Sequence, residues 1–193
     1  MMLPEGYQEY KAFDFQRDTK KAVLFQVGSI VPFLAMAVVS LFSGLPSRII
    51  SAASSFYGLL NLLLKLALIL LGCVICICLH ELLHAVLTRL LAGRFPKYQI
   101  SWAGISSSLD VFWRKGQYLV TTLSGAIAAS AVLIILAFLV PPEWFWAAYF
   151  TLALQLSLMA GDFILAWPVL RMPSGALVRD EGFRIVIYTK HGV

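Results

Sequence analysis

Residues 80–84 read His80-Glu81-Leu82-Leu83-His84. On a helix, positions i and i+4 share a face, so both imidazoles reach one ion. Zn²⁺ accepts imidazole nitrogen at about 2.0–2.1 Å in tetrahedral geometry. Glu81, beside the first ligand, is placed to act as general base towards a water on the metal, whose pKa zinc lowers to about 7. The competing reading is a polar cluster that bonds helices together. It is disfavoured because two histidines and a glutamate in a run of Leu, Ile and Cys are costly without a chemical purpose.

A catalytic zinc site needs a third protein ligand and an open fourth position. The candidates are His191, Asp110 and Asp162. His80 precedes Arg89 by nine residues and Asp162 precedes Arg171 by nine. If both stretches are helices running the same way, the two groups lie at one level, about 13 Å from their basic ends. Asp162 is therefore the expected third ligand, aided by Gly161, which permits close helix approach. A second role for Asp162 is to orient His80 or His84 without touching the ion. Cys73 and Cys76 share the His80 face, but cysteines in an apolar helix usually pack as small hydrophobes, and that is the expectation for them and for Cys78.

The elements that carry these residues are apolar. Of 193 residues, 60% are hydrophobic and 13% charged, and mean hydropathy is +0.84. So few charges cannot cover a soluble globule, which excludes a soluble enzyme and implies an integral membrane protein. The net charge of +5 fits basic loops on the cytoplasmic side better than a nucleic-acid surface, so no nucleic-acid partner is expected. Four spans are expected, at about 22–43, 57–92, 117–140 and 144–170, each long enough for a bilayer. The first is read as a retained helix, because its polar lead and Ser43-Gly44-Leu45-Pro46 make a poor cleavable signal. Gly44 to Phe56 reads as a short connection, with Ile49, Ile50 and Phe56 on the membrane surface.

Lys11, Arg17, Lys20 and Lys21 precede span one. Arg94, Lys97, Arg114 and Lys115 lie between spans two and three. Arg171, Arg179, Arg184 and Lys190 follow span four. This distribution puts both termini in the cytoplasm, with the site towards that side. Between spans two and three, Tyr98–Trp102 and Ile105–Leu109 read as a short cytoplasmic β-hairpin around Ala103-Gly104. That hairpin either offers an edge to an extended peptide or is an interfacial loop anchored by Trp102. Ala176–Val178 and Phe183–Tyr188 read as two strands around Asp180-Glu181-Gly182. The small residues at 123–130 suggest tight helix packing. Gln155, two turns before Asp162, either bonds a neighbouring helix or holds substrate. The fold class is thus an all-α polytopic membrane protein with four transmembrane helices, a short hairpin and a small β-containing C-terminal tail, in one domain over 1–193.

His80-Glu81-x-x-His84 with a later aspartate resembles the site-2 protease kind of intramembrane metalloprotease. Over nearly its full length the chain resembles the zincin peptidase family of small bacterial membrane proteins. That likeness rests on Leu3-Pro4-Glu5-Gly6-Tyr7, the span-two motif, Gly161-Asp162, and the tail from Gly175 to Phe183 (Gly-Ala-Leu-Val-Arg-Asp-Glu-Gly-Phe). The resemblance implies zinc held by His80, His84 and Asp162, with Glu81 as the catalytic carboxylate. It also implies a bacterial cytoplasmic membrane and a peptide or membrane-protein substrate. Asp162 lacks the Asn-Pro and Leu-Asp-Gly elements usual around the site-2 protease aspartate, and no PDZ or CBS module is present. The expected activity is zinc-dependent hydrolysis of a peptide bond within or beside the membrane. The alternatives are a non-hydrolytic zinc-binding membrane scaffold and a small metal or proton transporter.

Overall fold

The computed structural model describes residues 3–15, 17–101 and 104–190. The elements run β1 (Tyr7–Asp14), α1 (Thr19–Leu41), α2 (Leu45–Ala53), α3 (Phe56–Ala92), β2 (Lys97–Ser101), β3 (Gly104–Arg114) and α4 (Lys115–Leu139). A 3₁₀ turn (Pro142–Trp144) leads to α5 (Phe145–Leu170), then β4 (Leu177–Asp180) and β5 (Arg184–Lys190). Among the described residues four helices are long and apolar enough to cross a membrane: 22–41, 56–92, 115–139 and 142–170. α3 illustrates why. Leu59, Leu63, Leu66, Leu70 and Val74 are all exposed, so apolar side chains face outward along the helix. An uninterrupted surface of this kind suits lipid rather than water. At 37 residues α3 is about 55 Å long, more than a hydrocarbon core requires.

The chain divides into two compact units, 1–27 with 81–125 and 161–193, and 28–80 with 126–160. The second is helical. Pro32 lies inside α1, and the next amide, Phe33 N–H, donates to Ser157 Oγ on α5 at 3.1 Å. The Tyr149 hydroxyl of α5 donates to the Met36 carbonyl at 2.8 Å. Such polar links join helices that share no hydrophobic driving force in lipid. Two glycines allow close approach. A Cβ on Gly72 of α3 would meet Thr151 Cγ2 of α5 at 3.2 Å, and one on Gly58 would lie 2.0 Å from the Ala52 carbonyl oxygen. In the small-residue run of α4, Ala126 and Ala129 are buried, as expected for packing.

The first unit holds an antiparallel sheet of order β1-β5-β4-β3-β2. Beneath it Phe15, Trp113, Tyr118, Val169, Met172, Ala176, Val178, Ile185 and Ile187 form one buried apolar cluster. Strand residues thus pack on the first turn of α4 and the last turns of α5. Lys115 Nζ, at the start of α4, donates to the Leu170 carbonyl at 2.7 Å and to the Met172 carbonyl at 3.4 Å. A cation at the open carbonyls of a helix C-terminus is favourable. The Arg171 guanidinium stacks 4.2 Å over the Trp167 ring at the same end.

Several expectations are corrected. The molecule is mostly helical (68%) but not all-α, because the hairpin and the tail strands join one five-stranded sheet. Its fifth member is β1, drawn from the polar lead at Tyr7–Asp14. Those residues pair with Arg184–Lys190. Gly44 to Phe56 is largely a helix, α2, rather than a plain connection. Gly44 adopts φ +72°, closed to most side chains, and Pro46 follows in the first turn, where its missing N–H costs nothing. The first span ends at Leu41. The hairpin strands are Lys97–Ser101 and Gly104–Arg114, and the tail strands shift to Leu177–Asp180 and Arg184–Lys190. Trp102, Ala103 and His191 lie outside the described residues.

Candidate metal centre

α3 is one unbroken helix through residues 80–84, so His80 and His84 project from one face. Both are buried, and Glu81 between them is partly exposed. α5 carries Asp162, whose side chain is 20% exposed. Asp162 Oδ2 lies 3.7 Å from His84 Nε2. One donor atom from each of His80, His84 and Asp162 falls within 4.8 Å of the others. Among the described residues this is the group of His, Cys, Asp or Glu side chains able to hold a metal ion.

The geometry also fixes which nitrogen of His84 faces the donor group. His84 Nδ1 lies 2.5 Å from the Thr121 carbonyl oxygen on α4. A carbonyl only accepts, so Nδ1 carries the hydrogen, and in the neutral ring Nε2 is the nitrogen with a lone pair to offer a metal. Nε2 faces the Asp162 carboxylate. Nε2 and the carboxylate oxygen at 3.7 Å attract when a proton sits on Nε2 or a metal cation lies between them, and a bound metal takes the place of that proton. Two imidazoles and one carboxylate are the donor set that zinc accepts in catalytic sites, and the carbonyl-bonded histidine is the usual means of aiming such a ligand. The residues present fit zinc.

Other candidates lie elsewhere. Asp110, on β3, pairs with Arg179 at 3.2 Å and is not in the donor group. Cys73 and Cys76 are buried and Cys78 is exposed, and none belongs to the group. Gln155 is 1% exposed, and its Oε1 has no hydrogen-bond partner among the described residues.

Two contacts escaped the sequence reading. The Tyr98 hydroxyl of β2 donates to the Glu81 carbonyl at 3.2 Å, which ties the hairpin to the turn of α3 that carries the motif. The Thr121 carbonyl is the other. A main-chain acceptor leaves no trace in residue types. Tyr98 left a weak one, an aromatic in the alternating strand seventeen residues after Glu81.

The model of the family described as "Putative zincin peptidase" matches residues 73–177. That is more than half of the chain, and it contains His80, Glu81, His84 and Asp162. The chain belongs to this family. Membership implies zinc, and His80, His84 and Asp162 are the residues that bring suitable donors together. The match leaves the Leu3–Tyr7 opening and most of the tail outside it. No curated protein and no solved structure matches the chain.

Proposed function

We propose that this zincin peptidase family member is a zinc endopeptidase of the site-2 protease kind, hydrolysing a peptide bond within or beside a bilayer. The observation that carries the reading is the convergence of His80, His84 and Asp162 beside Glu81, on helices apolar enough to span a membrane. His80 Nε2 or Nδ1, His84 Nε2 and a carboxylate oxygen of Asp162 would hold the ion. Bound zinc supplies Lewis acidity, which polarises the scissile carbonyl and acidifies water. Glu81 takes the proton from the attacking water and delivers it to the departing amine. The Thr121 carbonyl keeps His84 in the required tautomer. The whole chain acts as one domain in a bacterial cytoplasmic membrane, with both termini and the site towards the cytoplasm. The distribution of Lys and Arg supports that orientation. Its partners are the bilayer and a peptide or membrane-protein substrate.

The test compares zinc-loaded wild type and Glu81→Gln in proteoliposomes containing a membrane-protein substrate. Equal zinc content with cleavage lowered about 100-fold or more supports the proposal, since general-base loss costs that much. Undiminished cleavage by the variant overturns it. A non-hydrolytic zinc-binding protein would match in zinc content but show no turnover in either form.

A further inference from the structure

We propose that Gln155 binds the substrate: its side-chain carbonyl accepts a main-chain N–H of the peptide about three residues from the bond to be cut, on the side towards the start of α5. The inference rests on the peptidase reading of the metal centre.

Gln155 stands in the middle of α5, 1% exposed, and its Oε1 has no hydrogen-bond partner among the described residues. A buried acceptor without a donor destabilises a fold, whereas Leu or Met fills similar space at no such cost. Packing alone therefore does not call for glutamine here. The hydroxyls along the same face are committed elsewhere. Thr151, one turn earlier, donates to the Ala147 carbonyl at 2.9 Å. Ser130 of α4 donates to the sulfur of Met159, one turn later, at 3.6 Å. The donor that suits Oε1 must come from another molecule.

Two contacts fix where that donor would lie. A Cβ on Gly72 of α3 would meet Thr151 Cγ2 at 3.2 Å, and His84 Nε2 of α3 lies 3.7 Å from Asp162 Oδ2. Twelve residues of α3 and eleven of α5 separate the two contacts, so the helices run in the same direction and in step. Gln155 falls between them, at the level of Cys76. It precedes Asp162 by seven residues, so the two share a face, about 10 Å apart along the axis. An extended peptide rises about 3.3 Å per residue, so three residues cover that distance. Met159 stands between them on this face, and its unbranched side chain repacks readily. Across the seam Gly72 and Cys76 present little volume. The links from Tyr149 and Ser157 of α5 run to α1, so a peptide entering on the α3 side leaves them intact.

The chemistry of the substrate supplies the donor. A peptide bond inside a bilayer is protected by its own helix, and must be unwound before water on a metal can attack it. Unwinding frees N–H groups where no water can receive them. Oε1 of Gln155 satisfies one such group. Every residue except proline carries that N–H, so the contact recognises an unwound main chain rather than a side chain.

The probes are hydroxamates of leucine peptides one to five residues long, whose hydroxamate group chelates zinc. Two series carry that group at the C-terminal or the N-terminal end, so that the chain leaves the metal in either polarity. Their affinity for the zinc-loaded full-length protein in detergent is measured by calorimetry. In wild type one series is expected to tighten about fivefold or more when the third residue from the metal is added. Gln155→Met should bind the one-residue compound within about twofold of wild type and lose that step. An ester in place of the amide at that position should cost wild type the same factor and Gln155→Met nothing, because both changes remove one hydrogen bond. Gln155→Leu serves in the same way if Gln155→Met does not fold. A step of full size in Gln155→Met overturns the inference, as does a wild type without the step in either series. So do losses from variant and ester that multiply, and a variant that weakens every compound alike, which is the mark of a merely structural role. Wild type that fails to bind even the one-residue hydroxamate would remove the peptidase reading itself. Wild type that binds it, with the step unaltered in Gln155→Met, would remove only this inference.

Discussion

The Tyr98 hydroxyl, on the edge strand of the sheet, donates to the Glu81 carbonyl in the middle of the metal-binding motif at 3.2 Å. One residue thus joins the hairpin to the helical turn that carries two members of the candidate metal group. The contact is main-chain on the α3 side, so it constrains the position of the turn without engaging the Glu81 carboxylate. Tyr98→Phe should lower stability in detergent by about 0.5–1.5 kcal/mol, the net worth of one ordinary hydrogen bond. Chemical denaturation of the metal-free protein checks this, with zinc stoichiometry expected to stay unchanged.

Removing a ligand should remove the metal. His84→Ala and Asp162→Ala are expected to lose stoichiometric zinc by elemental analysis. Asp110→Ala, altering a carboxylate that pairs with Arg179, should keep it. Were Asp162 only to orient a histidine, its variant would retain zinc with affinity lowered about 10–100-fold. Full retention in Asp162→Ala would contradict its place in the donor group.

Asp180 should make stability depend on pH. Burial raises its folded pKa to about 7, against about 3.9 for a carboxyl in an unfolded chain. Between those values the folded state holds a proton that the unfolded state has released. Stability is therefore greatest below about pH 4 and falls as pH rises to about 7, then levels off. One such group contributes a slope of about −1.4 kcal/mol per pH unit in that window. The Gly182 N–H bonds its carboxyl, the charge of Asp162 raises and that of His84 lowers its pKa, and Arg179, Glu181 and Arg184 pair in the same turn. Denaturation midpoints of metal-free wild type and Asp180→Asn across pH 4.5–8 check this; the slope attributable to Asp180 should vanish in the variant.

Gln155 should be replaceable at a gain. Its Oε1 is buried without a partner, and an unsatisfied acceptor costs about 1–3 kcal/mol. Gln155→Met keeps the volume and removes that cost, so its thermal midpoint should rise. A fall in midpoint would show that the amide is engaged in the membrane-embedded protein.

Much of the site was legible because its signals are local. The His80–His84 spacing needs only a helix, and the rank of Asp162 follows from counting to Arg171. The four apolar helices followed from composition. The main-chain group that orients His84, and the packing around it, were not legible. Thr121 acts through its main chain. Tyr118 and Val178 share a core only because β4 packs beside the first turn of α4, a relationship that no periodicity encodes. β1 was missed for a related reason. Tyr7–Asp14 is mostly polar, with no buried alternation of its own, and it becomes a strand through pairing with β5. α2 did leave a signal in Gly44 and Pro46, which a reading as plain connection overlooked.

The placement of β5 between β1 and β4 bears on how the molecule is made. β1 leaves the ribosome before the other described elements, yet its partner begins at Arg184. All four apolar helices and the metal-binding motif precede that partner in synthesis. Until β5 is complete, β1 waits with an unpaired edge, and β4, which carries Asp180, lacks one of its two neighbours. Closure of the sheet thus follows the four helices, and a chain stalled before β5 would carry His80, His84 and Asp162 while β1 and β4 still lacked their shared partner.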